Sequence, residues 1–125
     1  LPLECRTCAA FCEAGAVLRG AADPDLSRVL SDFHSAGKPI GAVCIAPAVT
    51  VMALGKGSVT IGNDPGTAEA IGAMGGSHTD CPVTDHHVDA ENKIVTAPAY
   101  MCDASIADVA AGIEKAVAST LELCG

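Results

Sequence analysis

Residues 38–49, KPIGAVCIAPAV, constrain the fold of this chain more than any other stretch. A short apolar run, Ile40–Val43, leads directly into Cys44, and apolar residues then continue to a stop at Gly55. Pro47 suits the first turn of a helix, because a missing N–H costs nothing there. The pattern therefore predicts a strand, a sharp turn at Cys44 and a helix over residues 46–54.

A thiol at such a turn lies at the N-terminal end of a helix, where unpaired backbone N–H groups and the helix dipole favour a thiolate. The backbone N–H of Ile45 is placed to donate to an oxyanion beside the sulfur. The alternative is that Cys44 is only a small buried hydrophobe, as many free cysteines are. The small neighbours Gly41, Ala46 and Pro47 favour the first interpretation, because they let the chain turn tightly.

Composition favours one α/β domain and argues against several kinds of partner. Half of the 125 residues are hydrophobic, yet there are only two Phe, one Tyr and no Trp, so the core must be aliphatic. Such cores are typical of helices packed closely on a sheet. The net charge of −8 argues against nucleic acid or an anionic membrane surface as a partner. No apolar run approaches the roughly 20 residues that span a bilayer.

The cysteines and histidines suggest a reduced compartment and no metal site. Seven cysteines without a recognisable secretory signal favour reduced thiols in a cytosol or an organelle matrix. Cys5, Cys8 and Cys12 form C-x2-C-x3-C, which lacks a convincing fourth metal ligand and suits a buried helical stripe equally well. His86 and His87 point to opposite faces of a predicted strand, and we interpret them as surface residues.

Two amphipathic helices are predicted from start signals and periodicity. Asp23 and Pro24 begin a helix that ends near Gly37. A longer helix begins near residue 103 or 104. Its predicted apolar face consists of Ile106, Val109, Ile113, Val117, Leu121 and Cys124.

The remaining elements complete an alternating α/β pattern. Residues 58–61 predict a strand, residues 67–74 a helix and residues 77–83 an extended segment. Residues 86–89 and 93–96 predict a β-hairpin. Alternating strands and helices imply a mainly parallel sheet, in which the strand before Cys44 is predicted to be central. That strand has too few neighbours for this position, so we infer a partial domain or one that relies on a partner.

A polar turn over residues 62–66 follows one of these strands. The carboxyl ends of strands form the ligand-binding edge of an open α/β sheet, so Asn63 and Asp64 would face Cys44 there. The alternative is that Asn63 and Asp64 only build the turn and cap the helix that follows.

Five motifs occur in a fixed order along the chain: GKPIGAVCIAP, SVTIGND, GTAEAIGAMG, VDAENKIVTAPAYM and GIEKAVASTLEL. Together they resemble the ElbB-type isoprenoid-biosynthesis glyoxalases, also called glutamine amidotransferase-like class 1 domain proteins, of the PfpI superfamily. The resemblance implies a partial flavodoxin-like α/β fold, a three-layer sandwich with a β-hairpin. Residues 15–125 would be the C-terminal part of one domain, and residues 1–14 an unassigned cysteine-rich stretch.

The resemblance also implies a site. Cys44 would be the nucleophile and Ile45 the oxyanion donor. The other pocket residues would come from two turns: Thr60, Asn63, Asp64, Pro98 and Tyr100. The chain departs from the family pattern in three places. The first strands, with an acidic residue that contacts the thiol, have no counterpart; a Gly-Gly loop is replaced; and no histidine follows Cys44.

The activity implied by the resemblance is a glyoxalase that needs neither cofactor nor glutathione. It would convert methylglyoxal or glyoxal, small reactive aldehydes, to lactate or glycolate through the Cys44 thiolate. The alternative is a non-catalytic structural or regulatory subunit, or a redox-responsive protein. Amidotransferase or peptidase-like hydrolysis ranks third, because it would need the missing histidine. We expect a homo-oligomer or a subunit of a larger assembly, in the cytoplasm or alternatively in a mitochondrial or plastid matrix.

Overall fold

A three-stranded sheet organises the part of the chain that the structure, a computed structural model, describes: residues 22–125. The strands are β1 (Ile40–Val43), β2 (Ser58–Val59), β3 (Ser77–His78), β4 (His87–Asp89) and β5 (Ile94–Ala97). The helices are α1 (Pro24–Ser35), α2 (Ala46–Leu54), α3 (Pro65–Ala73) and α4 (Ile106–Glu122), with a short 3-10 helix over Ala99–Met101.

The sheet order is β1-β5-β4, with β1 parallel and β4 antiparallel to β5. A second, parallel pair of β2 and β3 lies against β4, β5 and α3. The predicted strand over residues 40–43, the helix over 46–54 and the hairpin are therefore confirmed. The strand predicted over residues 58–61 is shorter, because only its first two residues pair with β3.

Strand β5 is buried on both faces and separates two apolar clusters. Ile94 packs with residues of α2, β2 and α3 on one face, whereas Val95 and Ala97 pack against Ala116 of α4 on the other. Successive residues of a strand point to opposite faces, so β5 joins the two layers of helices. The described part therefore has the predicted three-layer arrangement.

The helix termini follow from the capping residues. Asp23 accepts hydrogen bonds from the N–H groups of Asp25 and Leu26, at 3.0 and 3.2 Å, and so begins α1. The Ser105 hydroxyl accepts from the N–H of Asp108 at 3.2 Å and begins α4. α4 thus starts two or three residues later than the sequence predicts, because Ser105 is the residue that caps it.

The predicted apolar face of α4 is wrong in part. The buried residues are Val109, Gly112 and Ala116, whereas Val117 and Leu121 are 53% and 65% exposed. Gly112 explains why α4 buries a face other than the predicted one. A side chain at this position would overlap the carbonyl oxygen of Val83, in the segment before β4. Small residues let the helix approach closely, and the larger residues of the stripe are turned away.

The strand that carries Cys44 is not central within the described residues. β1 hydrogen-bonds to β5 on one side, and no described strand pairs with its other side. The helix α1 packs on α2 and β1 but buries none of its residues fully. The described layers are therefore incomplete around β1.

Some predictions lie outside the described residues. These concern residues 1–14 and the cysteine spacing within them. Within residues 22–125, none of the helices has both the length and the apolar composition that crossing a membrane requires.

Candidate active site

Cys44 occupies the sharp turn between β1 and α2. Its φ is 63°, in the left-handed region that non-glycine residues rarely adopt, and its side chain is half-buried. Its backbone N–H donates to the carbonyl oxygen of Ala97 at 3.1 Å, which fixes the turn to the end of β5. Strained conformations of this kind persist only where the surroundings over-determine them, and they cluster at functional sites.

The start of α2 offers backbone donors next to the Cys44 thiol. Ile45 is the N-cap residue and provides no side-chain cap, and Pro47 has no N–H. The N–H groups of Ile45 and Ala46 donate to no backbone carbonyl of residues 22–125. The side chain of Ile45 packs against the apolar cluster below, so only its backbone faces the turn. This arrangement offers hydrogen-bond donors to an oxygen that becomes negatively charged beside the sulfur.

The turn after β5 begins next to Cys44, because the Ala97 carbonyl oxygen accepts from the Cys44 N–H. Pro98 is fully buried, and Ala99, with a φ of 47°, is a second left-handed residue. The N–H of Met101 donates to the Pro98 carbonyl at 3.1 Å and closes the 3-10 turn. Tyr100 is 62% exposed, so its ring lies at the rim of this turn rather than within it.

The turn after β2 contains the predicted pocket residue Thr60. Thr60 is fully buried, its N–H donates to the Thr96 hydroxyl at 2.9 Å, and its own hydroxyl accepts from the N–H of Gly62 at 3.1 Å. The hydroxyl therefore holds the turn in shape. Gly62 has a φ of 106°, and a side chain there would contact Pro98 and the Cys102 sulfur. The turns after β2 and β5 thus pack directly on each other.

Asn63 and Asp64 are both exposed. The Asp64 carboxylate accepts from the Thr67 hydroxyl at 2.6 Å and from the Thr67 N–H at 2.8 Å. These hydrogen bonds, that of the hydroxyl first, lower the pKa of Asp64. Asp64 is therefore the N-cap of α3, which is the alternative that the sequence left open.

The described residues supply the thiol and its backbone donors but no base in contact with it. Two described thiols donate hydrogen bonds, those of Cys81 and Cys124, and both acceptors are backbone carbonyls. The Cys44 sulfur makes no hydrogen bond to residues 22–125. A proton transfer at this site thus needs water or a group from outside the described residues.

Several buried polar contacts were not foreseen from the sequence. His78 accepts from the N–H of Ile61 at 3.2 Å and lies 3.6 Å from the Asp80 carboxylate. This contact depends on the pairing of β2 with β3, for which the sequence pattern gave no signal. The buried Asp89 carboxylate accepts from the N–H of Ser58 at 2.8 Å and so ties β4 to β2.

His86 and His87 are not simple surface residues, which corrects the prediction. His86 Nε2 lies 2.8 Å from the Ser119 hydroxyl on α4, and His87 Nε2 lies 2.8 Å from the Ser58 hydroxyl. The two rings do point in opposite directions, but each meets a partner, and both are half-buried. Within residues 22–125, no group of three or more His, Cys, Asp or Glu is arranged to hold a metal ion.

Comparison with known proteins identifies the class. No family model matches the chain. A crystal structure of an isoprenoid biosynthesis protein with an amidotransferase-like domain from Ehrlichia chaffeensis superposes with a TM-score of 0.77 at 39% identity, covering 82% of this chain and 48% of that one. The described residues therefore form part of an amidotransferase-like, flavodoxin-type α/β domain, as the sequence predicted.

The curated relatives narrow this class. The chain is 43% identical over 110 residues to the human "glutamine amidotransferase-like class 1 domain-containing protein 3, mitochondrial", and 41% identical to the rat "ES1 protein homolog, mitochondrial". Each match covers 81% of this chain and 41% of the relative. The chain thus resembles this amidotransferase-like class 1 group and spans less than half the length of these relatives, which confirms the family resemblance.

Proposed function

We propose that this chain carries the nucleophilic cysteine of a glyoxalase that uses neither a cofactor nor glutathione. The observation that carries the proposal is the left-handed turn at Cys44, with a φ of 63° and the free N–H groups at the start of α2 beside it. A small ligand can reach a thiol held in this way, and the neighbouring backbone N–H groups can donate hydrogen bonds to a negatively charged oxygen of that ligand. The substrate class is a small 2-oxoaldehyde such as methylglyoxal.

The chemistry would proceed through covalent addition to the sulfur. The Cys44 thiolate attacks the aldehyde carbon, and the oxyanion that forms is stabilised by the N–H of Ile45 and by the dipole of α2. A base moves the proton of the former aldehyde carbon to the adjacent carbon through an enediol, which yields a thioester. Water then hydrolyses the thioester, releasing lactate and regenerating the thiol.

The base is the component that residues 22–125 do not place against the sulfur. Asp64 caps α3. Asp89 accepts from Ser58 of β2 and, in register with Ile94 and Ile40, lies at the opposite end of the sheet from Cys44. Pro98 has no titratable group, and the exposed Tyr100 offers a hydroxyl rather than a carboxylate. In this proposal the base is a solvent-exposed group or belongs to polypeptide outside the described residues.

The test is D-lactate formation from methylglyoxal in the absence of glutathione. Wild type, Cys44→Ser and Cys124→Ser are compared; Cys124 is an exposed thiol on the last turn of the chain and serves as the matched control. We expect Cys44→Ser to abolish product formation and Cys124→Ser to leave it unchanged. Equal product from all three proteins, or none from any of them, would refute the proposal for this chain.

A second candidate is a redox-responsive or purely structural role, which the lack of a contacting base favours. A reactive thiol without a partner base is open to oxidation by peroxide to sulfenic and then sulfinic acid. Selective oxidation of Cys44, mapped by mass spectrometry after mild peroxide, without any lactate production would support this role. An unreactive Cys44 would leave the structural role alone.

The relatives also suggest a cellular compartment for this chain. Both mammalian relatives carry the word mitochondrial in their names, which favours an organelle matrix over the cytoplasm for this chain. A reduced matrix is compatible with four free thiols among the described residues. A homo-oligomer or a larger assembly is also part of the proposal.

A further inference from the structure

Two half-buried cysteines from different segments, Cys81 and Cys102, contact the same glycine. The backbone N–H of Cys81 donates to the Gly62 carbonyl oxygen at 3.1 Å. The Cys102 sulfur lies 3.0 Å from the point that a Cβ on Gly62 would occupy. Gly62 has a φ of 106°, which a glycine adopts freely, and its missing side chain leaves the space in which the Cys102 sulfur lies. The turn after β2 therefore holds the two cysteines near each other.

The electrostatic surroundings of the Cys81 thiol reflect the same proximity. Burial, first, and then the Asp85 carboxylate and the Cys102 thiol raise the pKa of Cys81, whereas the Lys115 ammonium opposes them. A raised pKa leaves less thiolate at neutral pH, and the thiolate is the form that attacks an oxidant. This disfavours Cys81 as the thiol that is oxidised first.

Both cysteines lie in irregular segments of the chain. Residues 79–86 and residues 102–105 belong to no helix or strand. The Cys81 thiol donates to the carbonyl oxygen of its neighbour Pro82 at 3.4 Å, and a thiol is a weak donor, so this contact is easily given up. A disulfide places its two Cα atoms roughly 4.4–6.8 Å apart. Rotation of the two side chains and small shifts of these segments would reach that geometry without altering a strand.

We propose that Cys81 and Cys102 are a redox-active pair that a hydroperoxide, such as hydrogen peroxide, converts to an intramolecular disulfide. The Cys102 thiolate attacks one peroxide oxygen, the O–O bond breaks, and a sulfenic acid and the first water form. The Cys81 sulfur then attacks the sulfenic sulfur, which forms the S–S bond and releases the hydroxyl group as a second water with the Cys81 proton. The two thiols lose two electrons, and the peroxide gains them.

The bridge would fasten the segment before β4 to the end of the 3-10 helix over Ala99–Met101. This helix belongs to the turn after β5, which is hydrogen-bonded at its start to the backbone of Cys44. Oxidation would thus stabilise a turn next to Cys44 while leaving the Cys44 sulfur unchanged. The inference does not depend on the chemistry proposed for Cys44, since it rests on the contacts that two other cysteines make with Gly62.

The test treats the reduced 125-residue chain with hydrogen peroxide, blocks the remaining thiols with iodoacetamide and maps the cross-links by mass spectrometry. Trypsin cleaves after Lys93, which lies between the two cysteines in the sequence, so the bridge appears as two joined peptides. We expect Cys81–Cys102 to be the main cross-link and to disappear with dithiothreitol. Cross-links that join either cysteine mainly to another partner, or sulfinic acid at both without a cross-link, would overturn the proposal.

Serine variants separate this pair from the other thiols. Cys81→Ser and Cys102→Ser should each abolish the cross-link, whereas Cys44→Ser and Cys124→Ser should retain it. The oxidised wild type should melt at least about 5 °C above the reduced protein, because a closed loop restricts the unfolded chain. Cys81→Ser should show no such rise. Equal melting of the oxidised and reduced wild type, or loss of the cross-link in Cys44→Ser, would contradict the assignment.

Discussion

The left-handed turn at Cys44 makes an unusual prediction about stability. Replacing Cys44 by glycine should give a more stable protein than replacing it by alanine, although glycine usually destabilises. Both variants remove the sulfur, so their difference isolates the backbone. The reason is the φ of 63°, which an alanine must adopt under strain and a glycine adopts freely.

The size of the effect follows from two opposing costs. A residue with a Cβ in the left-handed region costs roughly 1–2 kcal/mol. Glycine avoids that cost, but its greater freedom in the unfolded chain costs about 0.5–1 kcal/mol relative to alanine. We therefore expect Cys44→Gly to exceed Cys44→Ala by roughly 0.5–1 kcal/mol in free energy of unfolding. For a chain of this size that is a rise of a few °C in melting temperature.

Urea unfolding followed by circular dichroism under reducing conditions measures this difference. Ala110→Gly is the control, because Ala110 is exposed in the middle of α4. It should lower stability by about 1 kcal/mol relative to wild type, the ordinary helical cost of glycine. If Cys44→Gly is less stable than Cys44→Ala, the turn is not strained and the argument from its geometry fails.

Three further changes test the packing and the buried charges. Gly112→Ala should lower the free energy of unfolding by about 2 kcal/mol, because the added Cβ would overlap the Val83 carbonyl oxygen. Gly72 faces open space on α3, so Gly72→Ala should stabilise the protein slightly. Urea titrations of both variants measure the difference. Burial raises the pKa of Asp89, but hydrogen bonds, chiefly from backbone N–H groups, outweigh it and hold that pKa below 3.8. The ionised Asp89 therefore stabilises the folded chain above the unfolded pKa, and this stabilisation is lost as the pH falls through the folded pKa. In Asp89→Asn, the free energy of unfolding should fall less steeply below pH 3.8 than in the wild type. Burial lowers the pKa of His87 below 6.5, so the unfolded chain binds the proton first and the folded chain loses stability as the pH drops below 6.5. His87→Gln should remove this loss, which is measured as the free energy of unfolding across a pH series.

The turn around Cys44 was predictable because its signals are local. An apolar run, small residues and a proline at the helix start act within ten residues, so β1, the turn and α2 were located from the sequence. The capping role of Asp64 was one of the two alternatives considered, although α3 begins at Pro65, two residues earlier than predicted. The φ of Cys44 agrees with the predicted sharp turn.

Features that depend on distant contacts were not predictable. The buried face of α4 is set by the close approach that Gly112 allows, whereas periodicity alone favours the bulkier residues of the stripe. The partners of His86 and His87 lie 33 and 29 residues away along the chain. Among the described residues β1 lies at an edge of the sheet. Its position depends on which other strands are present, and the local sequence around β1 carries no signal for that.

The central claim is that the Cys44 thiol is presented to a small aldehyde at the start of α2. The most direct measurement is the rate of iodoacetamide alkylation at Cys44 and at the exposed Cys124, followed by peptide mass spectrometry with and without methylglyoxal. Reversible addition of the aldehyde should slow alkylation of Cys44 far more than that of Cys124. Equal slowing at both thiols, or a Cys44 that reacts only after unfolding in urea, would contradict the account.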